Sequence, residues 1–420
     1  MHVKVGNIFL LGCLAIGLAA GSAAVADNLY FSVNSGANDT LMMVTGLAPT
    51  SGPPAGLGDQ AGFKAAGTNS DGIVAIDAAM IGGQPRVATG GQFLALWNGN
   101  DIGWVAQSPM NPPVRELVLG EVGGNGDRVV IARDTNDDKI EFAMFEGSTL
   151  NHVVTPGPHP NLGNASGMAR GNFTDNHAGS EIVVSTADLT TLNKTPGYQL
   201  YLSGENLGWL GQQPINQPSS DVAAGDLVPG LNNDEAIFTG GIGGDPGPGY
   251  GQQSHVFSTG PNVNGQMVYQ YENGGGLPHG VPAGNGELLF NAVAVGQLDA
   301  DPDPEIVLAG NNVIRVLNHD SSFVFQSGPT NANIVDVVIA DAMNNDGVNE
   351  IIAVTDGGLV FAFGHNVAGD AASGIAGGAL GVYNVGNPIT GVAALKIIPE
   401  PASALLLLLA ACGLAVARRR

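Results

Sequence analysis

The sequence predicts an all-β fold, and within that class a β-propeller built from repeated four-stranded sheets. Two observations favour it. Glycine makes up 64 of the 420 residues, about twice the usual share, and short apolar runs are distributed along the whole chain, which indicates many short strands joined by turns. In addition, one strand–loop–strand unit recurs six times, and a repeat of this kind is the signature of a modular fold.

The repeated unit begins with a mostly apolar strand that ends in a small residue, and a polar residue follows. A polar loop, a second apolar strand and a third strand, often aromatic, come next. Three or four strands in a unit of about 45 residues are typical of one propeller blade. The first strands are VAIDAA at 74–79, LVLGEV at 117–122, MARGNF at 168–173, VAAGDL at 222–227, VAVGQL at 293–298 and VVIADA at 337–342, and the aligned polar residues are Asp77, Glu121, Asn172, Asp226, Gln297 and Asp341.

The six units cover about residues 71–366, and strand-like segments remain at both ends of the chain. They are LYFSVNS at 30–36 and TLMMVTG at 40–46 at the front, and LGVYNV at 380–385 and VAALKII at 392–398 at the back. Because a propeller has to close, we expect these segments to form one further blade shared between the two termini. The sequence therefore predicts seven blades, with six blades and trimmed ends as the alternative.

The units resemble the FG-GAP/VCBS-type repeats of bacterial surface propellers and integrin heads. That resemblance implies a calcium site in the loop between the first two strands, of the form D-x-D/N-x-D-G-x-x-D/E. Alternate residues of such a loop can direct their oxygens to one centre, and Ca²⁺ requires six to eight oxygen ligands. The alternative for each loop is a turn rich in Asp and Asn that holds no ion.

Two loops match this pattern best. Pro302 stands in the first of them where the pattern has glycine, whereas the second retains the Asp-Gly pair. We expect the bound ion to be structural. The predicted ligands are Gln297, Asp299, Asp301, Asp303 through its carbonyl, and Glu305 in the first loop, and Asn344, Asp346, Val348 and Glu350 in the second; weaker candidates are Asn172, Asn176, Glu181 and Asp226.

Residues 1–26 have the layout of a secretory signal peptide. Lys4 is the only charged residue there, an apolar stretch follows, and Ala24 and Ala26 are small residues at the −3 and −1 positions of a cut before Asp27. The alternative is a lipoprotein-type cut after Gly12. Either way, residues 1–26 are excluded from the fold, which leaves 27–398 as the propeller.

Residues 399–420 combine Pro399-Glu400-Pro401, an apolar segment and Arg418-Arg419-Arg420. The apolar segment is predicted to be a hydrophobic helix that enters a bilayer, with the arginines at the cytoplasmic face. This tail resembles the PEP-CTERM sorting signal of Gram-negative bacteria, which an exosortase processes. The resemblance implies export across the inner membrane, transient anchoring, and a final place at the cell surface or in the extracellular matrix. An ordinary tail anchor is the alternative.

The net charge of −23 limits the possible partners. An acidic surface repels phosphate backbones, so we expect no nucleic-acid binding. Both cysteines, Cys13 and Cys412, lie in the terminal segments, so residues 27–398 have neither a disulfide nor a cysteine nucleophile.

No recognised catalytic motif occurs in the sequence. The acidic run at 134–138 is explained by a turn, and Trp97 is expected in the core. Trp104 and Trp209 follow similar sequences, DIGW and NLGW, which predicts a repeated structural position in the fourth strand; stacking on sugars is the alternative. The resulting hypothesis is a non-catalytic, calcium-stabilised binding or adhesion propeller whose ligand is a polysaccharide or a surface protein. A carbohydrate-active enzyme and a purely architectural protein are the alternatives.

Overall fold

The computed structural model shows an all-β propeller. It describes residues 26–395 except 37–38, 52, 69–71, 136–138, 160–163, 175–176, 188–196, 216–218, 228–232, 241–254, 259–269, 273–289, 300–301, 311, 320–322, 328–329, 331, 344–345 and 365–378. Residues 1–25 of the predicted signal peptide and the whole sorting tail at 399–420 lie outside the described residues. Within the described residues, no helix is long and apolar enough to cross a membrane.

The strands before the first repeat are β1 (Asn28–Val33), β2 (Thr40–Val44), the two-residue β3 (Ala55–Gly56) and β4 (Lys64–Gly67), with a 3₁₀ turn at Leu57–Asp59. Sheet I contains β5 (Ala75–Ile81), β6 (Gln84–Gly90), β7 (Phe93–Asn98) and β8 (Trp104–Pro109). Sheet II contains β9 (Val114–Glu121), β10 (Asp127–Thr135), β11 (Lys139–Glu146) and β12 (His152–Val154). Sheet III contains β13 (Asn164–Gly171), β14 (Glu181–Ala187), β15 (Gly197–Leu202) and β16 (Trp209–Ile215).

The second half of the chain continues in the same way. Sheet IV contains β17 (Ser219–Gly225), β18 (Glu235–Gly240), β19 (His255–Ser258) and β20 (Gln270–Glu272). Sheet V contains β21 (Ala292–Gly296), β22 (Glu305–Gly310), β23 (Val313–Leu317) and β24 (Phe323–Gln326). Sheet VI contains β25 (Ile334–Ala340), β26 (Glu350–Thr355), β27 (Leu359–Gly364) and β28 (Gly381–Asn384), to which β3 adds in parallel.

Sheet VII joins the two ends of the chain. Its order is β29 (Ile389–Leu395), β1, β2 and β4, and β1 pairs antiparallel with β29 so that Ser32 lies opposite Gly391. Three of the four end segments thus contribute strands to sheet VII as the sequence predicts, whereas the segment at 380–385 forms β28 of sheet VI, and its assignment to the closing sheet is wrong. The innermost strands β5, β9, β13, β17, β21, β25 and β29 contact one another in this order, and β29 contacts β5.

Apolar side chains fill the spaces between neighbouring sheets. Leu94 and Leu96 of sheet I pack with Leu119 and Ile131 of sheet II, and a separate buried cluster lies at each of the other junctions between described sheets. The second strands β22 and β26 are buried along their full length. Because both faces of these strands are covered by neighbours, the residues that follow the first glutamate of each strand are apolar, except Thr355 at the end of β26, and do not alternate with polar ones.

The polarity of the strands determines which loops lie together. The first to fourth strands of each sheet pair antiparallel, so loops from the first to the second strand emerge at the same end as turns from the third to the fourth strand. We call this end the loop face. Its parts used below are the described residues of the loops at 122–126, 172–180, 226–234, 297–304 and 341–349 and the turns at 99–103, 147–151 and 203–208.

Candidate functional site

The predicted calcium loops are closed by a buried glutamate at the start of the second strand. In four sheets this residue folds back and accepts hydrogen bonds from backbone N–H groups of its own loop, at 2.6–2.9 Å for the shortest bond of each. The carboxylates thereby satisfy donors that the loop would otherwise bury without partners. The pairs are Glu181 with Phe173, Glu235 with Leu227, Glu305 with Leu298, and Glu350 with Ala342 and Met343.

Burial makes ionisation of these glutamates less favourable. Burial raises the pKa of Glu350 to about 7, and the nearby Asp341 and Asp346 add to the rise, while the two backbone N–H groups oppose it. Burial likewise raises the pKa of Glu181, against hydrogen bonds from Thr174 and Phe173. The sequence pattern assigned these two glutamates to an ion, and the structure shows that each also organises the loop backbone.

The polar residue after the first strand connects neighbouring sheets. Asn172 and Asp234 exchange two hydrogen bonds of 2.7 Å each between sheets III and IV. Asp341 and Asp27 exchange two, of 2.7 and 3.0 Å, between sheets VI and VII. Similar contacts join Gly82 N–H to Asp127, Ser180 N–H to Glu121, and the Asn349 amide to the Gln297 carbonyl. Four of the six aligned polar residues therefore contact a neighbouring sheet: Glu121, Asn172, Gln297 and Asp341.

In the first predicted calcium loop, one hydrogen bond joins two of the predicted ligands, and two further ligands contact other residues. The Gln297 amide donates to the Asp299 carbonyl at 3.1 Å. Asp303 lies 3.6 Å from the Nδ1 atom of His319, and Glu305 accepts from Leu298 N–H at 2.6 Å. Asp301 lies outside the described residues.

In the second loop, two aspartates support the turn. Gly347, at φ +82°, donates its N–H to Asp341 at 2.9 Å, and Val348 donates to Asp346 at 3.0 Å. Asp341 therefore belongs to this loop, although the sequence leaves its role as a ligand doubtful. Asn344, and Asn176 of the third candidate loop, lie outside the described residues. Asp226 is exposed.

Where the structure describes the chain, no three His, Cys, Asp or Glu side chains are grouped so that they could hold a metal ion. The described donor set of each loop thus falls short of a complete calcium site, and Asp301 and Asn344 are not among the residues described. Calcium binding stays a prediction.

Three turns on the loop face share one geometry. Ile102, Leu150 and Leu207 are buried, have φ between 49° and 59°, and donate their N–H to the carbonyl four residues earlier at 2.8–3.0 Å. Two residues later, the fourth strand begins with Trp104, His152 and Trp209 respectively. The repeated position predicted for the two tryptophans is confirmed, and His152 is a third member that the sequence pattern missed because TLNH lacks both the glycine and the tryptophan. Trp97 is buried, as predicted.

A second group of carboxylates, which no sequence pattern indicated, lies on the innermost strands. One oxygen accepts from the next residue of the same strand, and the other accepts from the innermost strand of the following sheet, at 2.7–2.9 Å. The three residues are Asp77 with Leu119, Asp221 with Val293, and Asp336 with Val392. The alignment of Asp77 with Glu121 and Asp341 is therefore wrong, because Asp77 lies within β5 and corresponds to Asp221 and Asp336.

These carboxylates lie close enough to affect one another. Burial raises the pKa of Asp336 to about 6, and Asp77 contributes. Burial, followed by the charge of Asp336, raises the pKa of Asp221 well above its usual range. The pKa of Glu116 is raised similarly, with burial as the main cause and Asp221 and Asp336 as further ones. Asp134 lies in β10 and pairs with Arg115 at 3.0 Å, so it is not part of the turn that the sequence predicts.

No family model and no curated protein matches this chain in sequence. Among solved structures, it is similar to BBS1N in complex with ARL6DN (12% identity, TM-score 0.48, 77% of this chain and 84% of that chain). It is also similar to the Pan2 WD40 domain of Neurospora crassa (11%, 0.41, 78% and 86%) and to BamB from Moraxella catarrhalis (9%, 0.45, 88% and 88%). Sequence identities and TM-scores this low support no conclusion about the function of this chain.

Proposed function

We propose that this protein is a non-catalytic binding or adhesion propeller at the cell surface or in the extracellular matrix. The observation that supports it best is the loop face, where acidic loops from several sheets and two exposed tryptophans, Trp104 and Trp209, emerge at one end of the propeller. A rigid ring that displays variable loops at one end is suited to binding.

The test is a screen of purified residues 27–398 against polysaccharides and surface proteins. We expect retention without cleavage. Release of sugar products would instead favour a carbohydrate-active enzyme on the same scaffold, and absence of both retention and products would favour a purely architectural role.

We propose that sheets I–VII are seven blades and that sheet VII closes the ring. The contact between β29 and β5, together with the pairing of β1 and β29, supports this count over six blades. Closure by strands from both ends ties the termini together and removes the two free edges that an open arrangement would have.

We propose that the protein is exported and that an exosortase processes its tail. The sequence features that support it are the segment ending at Ala26 and the Pro399–Pro401 motif with its terminal arginines. Expression in an exosortase-containing Gram-negative host should give surface protein that lacks residues after the motif. Replacing Pro399, Glu400 and Pro401 by alanine should leave the protein in the membrane fraction; identical fractionation of both forms contradicts the proposal.

We propose that Ca²⁺ stabilises the loops at 297–305 and 344–350. The acidic side chains of these loops repel one another, and a bound cation would offset that repulsion. Chelation should therefore lower the melting temperature, and replacing Asp301 together with Asp346 by alanine should remove most of the sensitivity. A melting temperature that does not respond to chelator contradicts calcium binding while leaving the propeller intact.

A further inference from the structure

The three similar turns of the loop face each combine an acidic side chain with an aromatic ring. Asp101 precedes Trp104 in sheet I, Glu146 precedes His152 in sheet II, and Glu205 precedes Trp209 in sheet III. Sheets I, II and III are consecutive in the ring, so the three pairs lie in a row at one end of the propeller. We call them the acid–aromatic row.

The three rings of this row are exposed, and two of them are held by a neighbouring ring. Trp104 is 45% exposed and Trp209 is 57% exposed, although most large apolar side chains of the described residues are buried. Trp104 contacts the buried Trp97 at 4.9 Å between ring centroids with an interplanar angle of 81°, and His152 contacts Phe145 at 5.6 Å with the same angle. A fixed ring binds a ligand with little loss of conformational freedom.

The acidic members lie in the same turns as the rings and are in contact with solvent. Asp101 and Glu205 are exposed, and Glu146 is partly exposed. Asp101 accepts a hydrogen bond from Gly103 N–H at 2.9 Å, which holds its carboxylate in the turn beside Trp104. Glu146 accepts from Thr149 and Asn151, and these hydrogen bonds lower its pKa, so it is ionised at neutral pH.

An ammonium group of the chain lies at one of these turns. Lys64 begins β4, the fourth strand of sheet VII, and therefore occupies the position that Trp104, His152 and Trp209 occupy in sheets I–III. Its Nζ atom donates to the carbonyl of Asn100, in the turn of sheet I, at 2.7 Å. A backbone carbonyl of the turn next to Trp104 is thus within hydrogen-bond reach of an ammonium group.

We propose that the acid–aromatic row binds an extended cationic segment of a partner protein, rich in lysine or arginine. An ammonium or guanidinium group is attracted to the face of an indole ring and to a neighbouring carboxylate at the same time. The net charge of −23 attracts the same partner over longer distances. A neutral polysaccharide would also use the rings and would donate its hydroxyls to the acidic side chains, but it carries no charge for the net charge of −23 to attract.

The experiment measures binding of fluorescein-labelled octalysine to the full chain by fluorescence anisotropy. The double variant Trp104→Leu/Trp209→Leu keeps the net charge and an apolar side chain but removes the ring faces. We expect its Kd to increase at least tenfold, while Val74→Ala, an exposed apolar control outside the row, leaves Kd unchanged. Unchanged melting temperatures verify that the variants are folded.

A second comparison separates the row from the overall charge. Asp101→Asn and Asp356→Asn each remove one exposed carboxylate, but only Asp101 lies in the row. We expect Asp101→Asn to weaken octalysine binding at least threefold and Asp356→Asn to change it much less. Equal losses in the two variants, or full affinity in the tryptophan double variant, would overturn the proposal.

Cellohexaose serves as the uncharged competitor. We expect no displacement of octalysine, whereas displacement that depends on Trp104 and Trp209 would overturn the cationic assignment in favour of a sugar. A failed polysaccharide screen would count against adhesion to sugars and leave the octalysine result unaffected, so the two proposals fail separately.

Discussion

At the scale of single residues, Asp77, Asp221 and Asp336 show how carboxyl groups on the innermost strands join neighbouring sheets. Each accepts one hydrogen bond from its own strand and one from the next innermost strand. These donors favour the ionised form, but burial outweighs them, and the pKa of all three is raised. The carboxyl groups join the sheets, and their contribution to the free energy of unfolding depends on pH.

The pH dependence of the unfolding free energy can be tested at Asp336. Its folded pKa of about 6 lies above the ordinary value of 3.8, so the folded protein binds this proton more tightly than the unfolded chain does. Its contribution to the free energy of unfolding is fully present below the pKa of the unfolded chain and is lost as pH rises through the pKa of the folded protein. From pH 4 to pH 7, we expect about 2 kcal/mol of unfolding free energy to be lost through this group.

Urea unfolding across that range should show a smaller decrease in Asp336→Asn than in the wild type. Asp356→Asn is the matched control, because Asp356 is exposed at a turn, and its pH dependence should follow the wild type. A decrease of equal size in Asp336→Asn would contradict the assignment.

At the scale of elements, the turn before the fourth strand combines a buried apolar side chain with a strained backbone conformation. Leu207 is fully buried at φ +58°, a conformation that costs a residue with a Cβ atom about 1–2 kcal/mol. Packing of the side chain in the core between sheets II and III offsets this cost, since removing a buried leucine costs about 2–5 kcal/mol.

Two substitutions at Leu207 separate these terms. Leu207→Ala loses the packing and keeps the strain, whereas Leu207→Gly loses the packing and relieves the strain. We expect the glycine variant to be more stable than the alanine variant by about 1 kcal/mol in urea unfolding, the reverse of the usual order.

The control is Leu200, which is equally buried but lies within strand β15. There, Leu200→Gly should be less stable than Leu200→Ala, because glycine has more conformational freedom to lose in a strand. The same order at both positions would show that Leu207 carries no strain.

At the scale of the whole molecule, sheet VII determines whether the ring closes. A Cβ atom added at Gly391 would lie 3.2 Å from the Ser32 hydroxyl of the paired strand, a separation close to that needed for a disulfide. The body has no cysteine of its own, so an introduced pair would have no competing thiol between residues 27 and 398.

We expect Ser32→Cys/Gly391→Cys, made in residues 27–398, to form a disulfide under mild oxidation. After cleavage within the body, the terminal fragments should stay joined on a non-reducing gel and separate on reduction. Each single variant is the control and should give separate fragments. Separate fragments from the oxidised double variant would contradict closure by β1 and β29.

Local patterns in the sequence were sufficient to identify the strands and their repeat. The second strands are recognisable because burial on both faces makes them continuously apolar, and the segments 40–46 and 392–398 are recognisable as strands in need of partners. The turns of sheets I and III could also be predicted, since DIGW and NLGW share spacing, whereas the equivalent turn before His152 shares only its backbone geometry.

The amino-acid sequence by itself therefore determined the class of fold and the repeated unit, because burial and turn formation depend on nearby residues. Only the tertiary structure decided what the polar residues do. Asn172, Gln297 and Asp341 contact a neighbouring sheet, the closing glutamates hold their own loops, and the acid–aromatic row forms from segments about 50 residues apart along the chain, at the spacing of one repeat. Contacts of this kind depend on how the sheets pack around the ring, which no local pattern specifies.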